Sequence, residues 1–252
     1  MRSLLAMLRN GWVPLMWLLL LLVAVFSMDQ FEGFFRQVEP DARAVIYQRS
    51  SFAQLLGKHL LIVGAASLVS VIVGVAAGIL ATRRWGRDFL PLVSQVASIG
   101  QTFPPVAVLA LAVPLLGFGS LPTIFALVLY GLLPVLRNTL AGLQDVSPTV
   151  IEAARGIGMS PLQSLFKVEL PLASVVILAG IRTLVTVAIA TAAIGSTIGA
   201  STLGDPVIAG LVNGNTAYVL QGAILIGLLA VLIDSLFECV QQWFAVRQGR
   251  AQ

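Results

Sequence analysis

Long apolar runs alternate with short polar segments along almost the whole chain. A run of about 20 apolar residues is long enough to cross the hydrocarbon core of a bilayer as an α-helix. By this criterion, the predicted membrane-spanning runs are residues 12–28, 60–81, 93–116, 121–136, 172–198 and 217–237. The pattern therefore predicts an all-α fold, a polytopic membrane helix bundle with about six transmembrane helices, forming a single integral domain over residues 1–252.

The third run differs from the others because prolines and polar residues interrupt it. Pro104, Pro105 and Pro114 lack a backbone N–H, and Gln101 and Thr102 place polar side chains inside the run. Irregular backbone is tolerated at membrane depth only where protein or water surrounds it. We therefore expect a broken or kinked helix buried among its neighbours, with Gln101 and Thr102 as candidates for lining a pathway.

The composition excludes several classes of function. The 252 residues are 58% hydrophobic and only 10% charged, with a mean hydropathy of +0.97, which is outside the range of soluble globular proteins. One histidine (His59, expected at a membrane interface) and one cysteine (Cys239) cannot build a metal site or a disulfide. The sequence also has no GxxxxGK[ST] phosphate-binding loop. We expect a protein that is not an enzyme and that binds no metal or cofactor itself.

Basic residues concentrate in alternate loops, which predicts the orientation in the membrane. With the N-terminus inside, ten of the fifteen Lys and Arg residues are cytoplasmic: Arg2, Arg9, Arg83, Arg84, Arg87, Arg137, Arg155, Lys167, Arg247 and Arg250. This distribution satisfies the positive-inside rule and places both termini in the cytoplasm of a bacterial cell, with the chain in its inner membrane. The scattered charges fit contact with membrane lipid and argue against nucleic-acid binding.

The first run has an alternative interpretation as the apolar core of a signal peptide, because Arg2 and Arg9 precede it. No cleavage site with the small-x-small pattern follows it. We therefore expect this run to remain as a span.

The polar segment 147–171 is the most informative part of the chain. Ser-Pro pairs at 147–148 and 160–161 favour two helix starts, with Ser as the capping acceptor and Pro at the first helical position. Each short helix carries a narrow apolar face, formed by Val150, Ala153, Ala154 and Ile157 in the first and by Leu162, Leu165 and Phe166 in the second. Glycines separate the helices, and Pro171 is expected to end the unit by biasing Leu170 away from helical geometry. A charged loop of this kind is predicted to dock a partner.

Within this segment, Glu152-Ala153-Ala154 is followed after three residues by Gly158 and after nine more by the sequence Val-Glu-Leu-Pro at 168–171. This spacing resembles the EAA loop of bacterial ABC importer permeases, in which Ile usually stands where this chain has Val168. The resemblance implies a type I ABC importer fold like that of methionine permeases. It also implies that this loop couples to an ATPase through Glu152, Ala153, Ala154, Gly158, Leu170 and Pro171.

The resemblance further implies an assembly with several partners. Two permease chains, identical or homologous, would form the pathway, and two cytoplasmic ABC ATPase subunits would bind the ATP. An extracytoplasmic solute-binding protein would deliver the solute. In such an assembly, Glu152 pairs with a basic group on the ATPase, Ala153 and Ala154 permit close approach, and Gly158 supplies the turn. Transport then proceeds by alternating access.

A narrower resemblance concerns the solute. Residues 100–119, 180–183 (GIRT) and 198–211 are similar to those of osmoprotectant importer permeases, which carry glycine betaine, choline or carnitine. The similarity covers a core of about 59–238. A permease for methionine or another small solute is the alternative within the class. A stand-alone secondary carrier or channel is the alternative outside it, and the EAA loop argues against that alternative.

Arg182 lies about ten residues into the fifth apolar run, where an unpaired cation costs roughly 2.5 to 3.5 kcal/mol. Two explanations are open. In the first, the charge is only accommodated, because Arg182 pairs with Asp234 or reaches toward the cytoplasmic surface. In the second, Arg182 acts as a gate that governs the passage of cations.

Small residues recur at every fourth position in the second and fifth runs, and such stripes predict close helix packing. They are Ala66, Ser70, Gly74 and Gly78, followed by Ala188, Ala192, Ser196 and Ala200. In the permeases that this chain resembles, the span after the EAA loop lines the pathway. The resemblance therefore makes Ser196 a further pathway candidate.

Overall fold

The computed structural model describes residues 11–83 and 86–247, and in these ranges the regular structure is entirely helical. The helices are α1 (Trp12–Phe26), α2 (Glu32–Val38), α3 (Phe52–Thr82), α4 (Leu90–Thr102), α5 (Pro105–Leu116), α6 (Ser120–Gln144), α7 (Pro148–Gly156), α8 (Pro161–Ile198), α9 (Asp205–Asn213) and α10 (Thr216–Arg247). The all-α prediction is confirmed. Four of the basic residues used to predict the orientation, Arg2, Arg9, Arg84 and Arg250, lie outside the described residues.

Among the described residues, the helices α3, α6, α8 and α10 are each long and apolar enough to cross a membrane. A fifth crossing arises if α1 is counted with the segment Met28–Val38, which follows it at an angle of 81°. The third predicted run is broken, as expected, into α4 and α5. Their 13 and 12 residues reach only about 20 Å each, less than the ~30 Å of a bilayer core. The count therefore falls short of six because one run forms two half-length helices.

Helix α6 is the centre of the bundle, packed against α3 on one side and α8 on the other. Gly74 and Gly78 of α3 lie directly over α6, and a Cβ on Gly78 would come within 2.6 Å of the Thr139 side chain. On the other side, a Cβ on Gly180 of α8 would lie 2.8 Å from the carbonyl oxygen of Pro134. The predicted small-residue stripe of the second run is therefore a helix contact.

The stripe of the fifth run also faces inward. Ala188, Ala192 and Ala200 are buried within this one chain, and Gly195 packs against Thr123 at the start of α6. These positions serve helix packing in the monomer. The exposed side of α8 is a different one, which includes Thr183 and Val187.

Loops assigned by sequence to the same side of the membrane meet in the structure. The Asn215 side-chain amide donates to the Ala44 carbonyl at 2.9 Å, and the Thr216 N–H donates to Glu39 at 3.0 Å. The two bonds join the segment between α2 and α3 to the turn after α9 and to the first residue of α10. One end of the bundle is thereby closed by a layer of interlocked connections.

His59 is fully buried under this layer. Helix α3 begins at Phe52, two turns earlier than the apolar run suggested, and this carries His59 into the bundle. Its Nδ1 accepts a hydrogen bond from the Leu203 N–H at 3.3 Å. Because Nδ1 is the acceptor, the neutral ring carries its proton on Nε2.

We predict that Gly180→Ala lowers the stability of the purified protein, because the new methyl group would press on the Pro134 carbonyl and on Asn138. Overpacking of this kind costs about 1 to 3 kcal/mol. Gly64→Ala is the matched control, since a Cβ there meets nothing within 4 Å and alanine favours the helix. Thermal unfolding in detergent should show a lower midpoint for Gly180→Ala alone. Equal midpoints would contradict the close packing of α6 and α8.

Candidate functional site

The segment 147–171 forms a helical hairpin at the end of the bundle opposite the interlocked layer. Helix α7 ends at Gly156, and Gly158 turns the chain with a positive φ of 85°. The N–H of Gly158 donates to the Arg155 carbonyl at 2.9 Å, and the N–H of Met159 donates to the Ala154 carbonyl at 3.1 Å. A side chain at position 158 would strain this left-handed turn.

The two predicted serine caps have different outcomes. Ser160 forms a full capping box, in which its hydroxyl accepts from the Gln163 N–H and its own N–H donates to the Gln163 side chain at 2.9 Å. Ser147 stands at the cap position of α7 but makes no side-chain cap bond. The prediction is confirmed for Ser160 and wrong for Ser147, whose backbone carbonyl alone accepts from the first turn of α7.

The expectation that Pro171 closes the unit is wrong. Leu170 is helical, with φ −63° and ψ −44°, and the chain runs through Pro171 without a break. A π-helical turn at Leu165–Glu169 precedes the proline. Because π turns shift the bonding from i+4 to i+5, a proline is accommodated without the clash it causes in an α-helix. The second arm of the hairpin and the fifth span are therefore one helix, α8.

Large apolar side chains are exposed at the tip of the hairpin. Ile157 is 77% exposed, Leu162 67% and Phe166 64%, and Glu152 and Ala153 are also exposed. Ala154 and Leu165, by contrast, are buried against the rest of the chain. The hairpin thus has one face fixed to the bundle. A second face, here called the hairpin face (Glu152, Ile157, Leu162 and Phe166), is left exposed by the residues that the structure describes.

An ion pair that the sequence analysis missed fixes the base of the hairpin. The Arg83 guanidinium, at the end of α3, donates to Glu169 at 2.7 Å and 3.4 Å. The Ser164 hydroxyl donates to the same carboxylate at 3.2 Å. Glu169 is only 6% exposed, so the pair connects α3 to α8 in a partly dry environment. The signal for Glu169 was a carboxylate placed directly before the fifth apolar run.

Arg182 forms an ion pair with Asp234, as the first of the two explanations predicts. Its Nε and Nη2 donate to the two oxygens of Asp234, both at 2.5 Å. Nη1 donates to Gln241 at 3.2 Å, and Glu238 lies 3.8 Å away. This bidentate pair joins α8 to α10 and offsets the cost of placing a cation inside the bundle.

The pathway candidates lie at two levels. The Gln101 amide donates to the Tyr130 carbonyl at 2.9 Å. Together with Thr183 and Thr191 it lines a small cavity of about 70 Å³ at the middle of the bundle. Thr102, at the end of α4, is exposed next to Gln101.

Ser196 lies near the interlocked layer and is not close to the other candidates. Its hydroxyl bonds Asp205 at 2.5 Å and Thr202 at 2.9 Å. A cavity of about 260 Å³ opens here, lined by Tyr47 and Arg49 as well. Burial raises the pKa of Tyr47, and the negative charge of Asp205 raises it further.

Comparison with known proteins agrees with this geometry. Residues 70–248 match the family described as binding-protein-dependent transport system inner membrane component. The chain belongs to this family, whose members are the membrane subunits of transporters.

Two relatives illustrate the similarity. The osmoprotectant import permease protein OsmY of Salmonella typhimurium is 40% identical over 190 residues, covering 75% of this chain and 79% of that protein. The choline transport system permease protein OpuBB of Bacillus subtilis is 40% identical over 177 residues, covering 70% and 81%.

Two solved structures share the fold. A chain of the MetNI methionine ABC transporter, in an inward-facing conformation, superposes with a TM-score of 0.66 at 19% identity, over 76% of this chain and 95% of that one. A chain of an amino acid ABC transporter gives 0.61 at 20% identity, over 88% and 98%. The predicted type I ABC importer fold is confirmed.

We predict that removing either partner of the Arg83–Glu169 pair destabilises the protein more than removing both. Arg83→Ala leaves a buried carboxylate without its cation, which costs up to about 3 to 5 kcal/mol for a fully buried pair. Here the 27% exposure of the Arg83 side chain reduces that figure. Glu169→Gln and the double variant complete the cycle.

The matched control is the Arg36–Glu32 pair, whose side chains are 40% and 58% exposed, so its removal should change the unfolding midpoint little. Additive losses in the Arg83–Glu169 cycle would contradict a direct coupling between α3 and the hairpin.

We predict that Arg182→Ala lowers the amount of folded protein in the membrane, because Asp234 is left without its cation. Exchanging the two residues, as Arg182→Asp with Asp234→Arg, should restore folding if the pair only packs. Transport by the exchanged variant separates the two explanations. Normal folding with lost transport would favour a gate, whereas recovery of both would favour packing.

Proposed function

We propose that this chain is the permease subunit of an ATP-driven importer for an osmoprotectant such as glycine betaine, choline or carnitine. The observation that carries the proposal is the helical hairpin with an exposed apolar face, built on a permease fold. The names of the relatives supply the class of solute, since OsmY is an osmoprotectant import permease and OpuBB a choline permease.

The hairpin face is suited to docking an ATPase. Its exposed side chains, Ile157, Leu162 and Phe166, flank the Gly158 turn at the end of the bundle that the sequence assigns to the cytoplasm. Glu152 adds a carboxylate that would pair with a basic group on the partner, and Ala153 beside it leaves room for close approach. In this proposal, ATP is bound and hydrolysed by the separate subunit, and this chain holds no cofactor.

Continuity of α8 supports transmission from the docked subunit to the pathway. The helix begins at the hairpin with the Ser160 capping box and continues through Leu170 and Pro171 to Ile198. The Arg83–Glu169 pair connects its base to α3. Movement of the hairpin would therefore displace α8 and α3 together, which is what alternating access requires.

The remaining partners follow from the family. A second permease chain, identical or homologous, would complete the pathway against the exposed side of α4 and α8. An extracytoplasmic solute-binding protein would approach the interlocked layer, where the cavity beside Ser196 and Asp205 opens. Both termini would lie in the cytoplasm of the bacterial cell, with lipid around the bundle.

We predict that Ile157→Asp and Gly158→Val reduce co-purification of the ATPase by about tenfold or more, while the permease still reaches the membrane. The first variant places a charge in the apolar contact, and the second strains the positive-φ turn. Leu115→Asp in α5 is the control, because Leu115 is similarly exposed, at 85%, but lies far from the hairpin. Normal co-purification of both hairpin variants would remove the docking proposal.

We predict that proteoliposomes take up radiolabelled glycine betaine or choline only when the permease, the ATPase with ATP and the binding protein are all present. Uptake of methionine and of no quaternary ammonium compound would reject the proposed solute but keep the importer. Uptake by the permease alone without ATP would reject the importer in favour of a carrier or channel.

A further inference from the structure

The cavity beside Ser196 lies at the end of the bundle that the sequence assigns to the outside of the cell. It has a volume of about 260 Å³ and is here called the mouth cavity. Tyr47 and Arg49, from the segment before α3, line it together with Ser196 at the end of α8 and Asp205 at the start of α9. Segments that are far apart in the sequence therefore place polar and charged side chains around one space at the outer end of the proposed pathway.

The segment that carries Tyr47 is held against α10. The side chain of Gln221, which is fully buried, accepts from the Tyr47 N–H at 3.0 Å and donates to the Val45 carbonyl at 2.5 Å. The Tyr47 ring packs against Tyr218 and Phe52, with ring centroids 5.6 Å and 6.3 Å away. These contacts fix the Tyr47 side chain without any ligand, so its polar end has a preformed position.

The Tyr47 hydroxyl is a donor without a partner. Tyr47 is only 6% exposed, and its hydroxyl makes no hydrogen bond within residues 11–83 and 86–247, the parts of the chain that the structure describes. A buried hydroxyl normally has a partner. Burial raises the pKa of Tyr47, the charge of Asp205 raises it further, and the charge of Arg49 lowers it. Because both charges line the mouth cavity, the hydroxyl on which they act lies on the side of this cavity.

The two charges in the mouth cavity are not paired with each other. Asp205 accepts through Oδ1 from the Ser196 hydroxyl at 2.5 Å and from the Thr202 N–H at 3.2 Å, but its Oδ2 meets no donor among the described residues. Arg49 is exposed and makes no hydrogen bond or ion pair within the same ranges. The N-terminus of α9 offsets part of the Asp205 charge and keeps the carboxylate ionised. A carboxylate oxygen and a guanidinium therefore both remain available in one cavity.

A small zwitterion is the ligand that matches this arrangement. A simple cation is attracted by Asp205 but repelled by Arg49, and a simple anion meets the opposite problem. A molecule that carries both charges satisfies both groups, and its carboxylate also accepts from the Tyr47 hydroxyl. The volume of the cavity suits a small molecule, since sites for drug-sized ligands measure roughly 300 to 1,000 Å³.

We propose that the mouth cavity binds a betaine-type solute, with its carboxylate at Arg49 and the Tyr47 hydroxyl and its quaternary ammonium group beside Oδ2 of Asp205. The zwitterionic class follows from the cavity, and the inference rests on the proposed function for the choice of a betaine. The permease itself then selects solutes at the outer end of the pathway. It favours glycine betaine and carnitine over choline, which has no carboxylate.

The first test measures occupancy without transport. Asn213 is exposed and lines the mouth cavity, so Asn213→Cys is made in a Cys239→Ala background. Its labelling by a neutral maleimide is followed in the purified permease–ATPase complex without the binding protein. Glycine betaine should slow labelling by about threefold or more at saturation, because an occupied cavity excludes the reagent. Choline should need an about tenfold higher concentration. Gln48→Cys, in a neighbouring cavity on the other side of Tyr47, is the control and should show no protection.

Further variants separate the contributions of the three groups. Arg49→Gln should raise the concentration of glycine betaine needed for protection about tenfold or more and should not raise that of choline. Asp205→Asn, which keeps a hydrogen-bond acceptor at Oδ1, should weaken protection by both solutes. Tyr47→Phe should weaken protection by glycine betaine alone, by about threefold to tenfold. Arg43→Gln is the matched control, because Arg43 is exposed in the same segment but does not line the cavity.

The second test uses the complete transporter in proteoliposomes, where Arg49→Gln should lower uptake of glycine betaine more than uptake of choline. The outcomes separate this inference from the proposed function. If methionine protects the cysteine at position 213 and no betaine does, the proposed solute fails and the zwitterion site stands. If the transporter carries glycine betaine but neither glycine betaine, carnitine nor methionine protects, the mouth cavity is not a solute site. Equal loss of uptake for every solute in Arg49→Gln, with native protection, would assign Arg49 to contact with the binding protein and would also reject the site.

Discussion

The close approach of α3 and α8 to α6 is the contact on which the rest of the bundle depends. Lipid tails are as apolar as leucine, so helices in a membrane gain little from burying apolar surface and associate through tight packing. Gly74 and Gly78 on one side and Gly180 on the other allow that packing, since a Cβ at any of them would overlap with α6. This three-helix centre holds the hairpin at one end, the interlocked layer at the other and the break in between.

Helix α8 connects these three regions in a single element. It starts at the hairpin, passes the cavity beside Gln101 and ends next to Ser196. The π turn at Leu165–Glu169 allows it to continue through Pro171, and two ion pairs fix it laterally, to α3 through Arg83 and to α10 through Asp234. The helix is therefore continuous from the hairpin to the opposite end of the bundle and is bonded to a neighbour on each side.

The two interruptions in the apolar runs have opposite consequences. Pro171 follows a widened turn, so the helix absorbs it and gains continuity. Pro104 and Pro105 stand together, so two successive donors are lost and the helix ends. The first arrangement connects the hairpin to the bundle through one continuous helix. The second creates polar backbone at mid-depth, which in a membrane is retained where water or protein meets it.

The helical bundle, the broken third run and the hairpin could each be predicted from the sequence. The lengths of the apolar runs indicated the helical bundle, since only helices and closed barrels satisfy the backbone in lipid. The consecutive prolines indicated the break, and the spacing from Glu152 to Pro171 indicated the hairpin. These features are local, so the residues that cause them are neighbours in the chain.

Only the tertiary structure decided which distant residues meet. The pairing of Arg83 with Glu169 spans 86 positions and could not be inferred from either residue alone, because many charged partners are available to each in a linear sequence. The burial of His59 likewise depends on a distant segment, the loop that carries Leu203. The pairing of Arg182 likewise required the packing of α10, which brings Asp234 within 2.5 Å. Sequence fixes what each segment is able to form, and the packing of helices determines which of its side chains find partners.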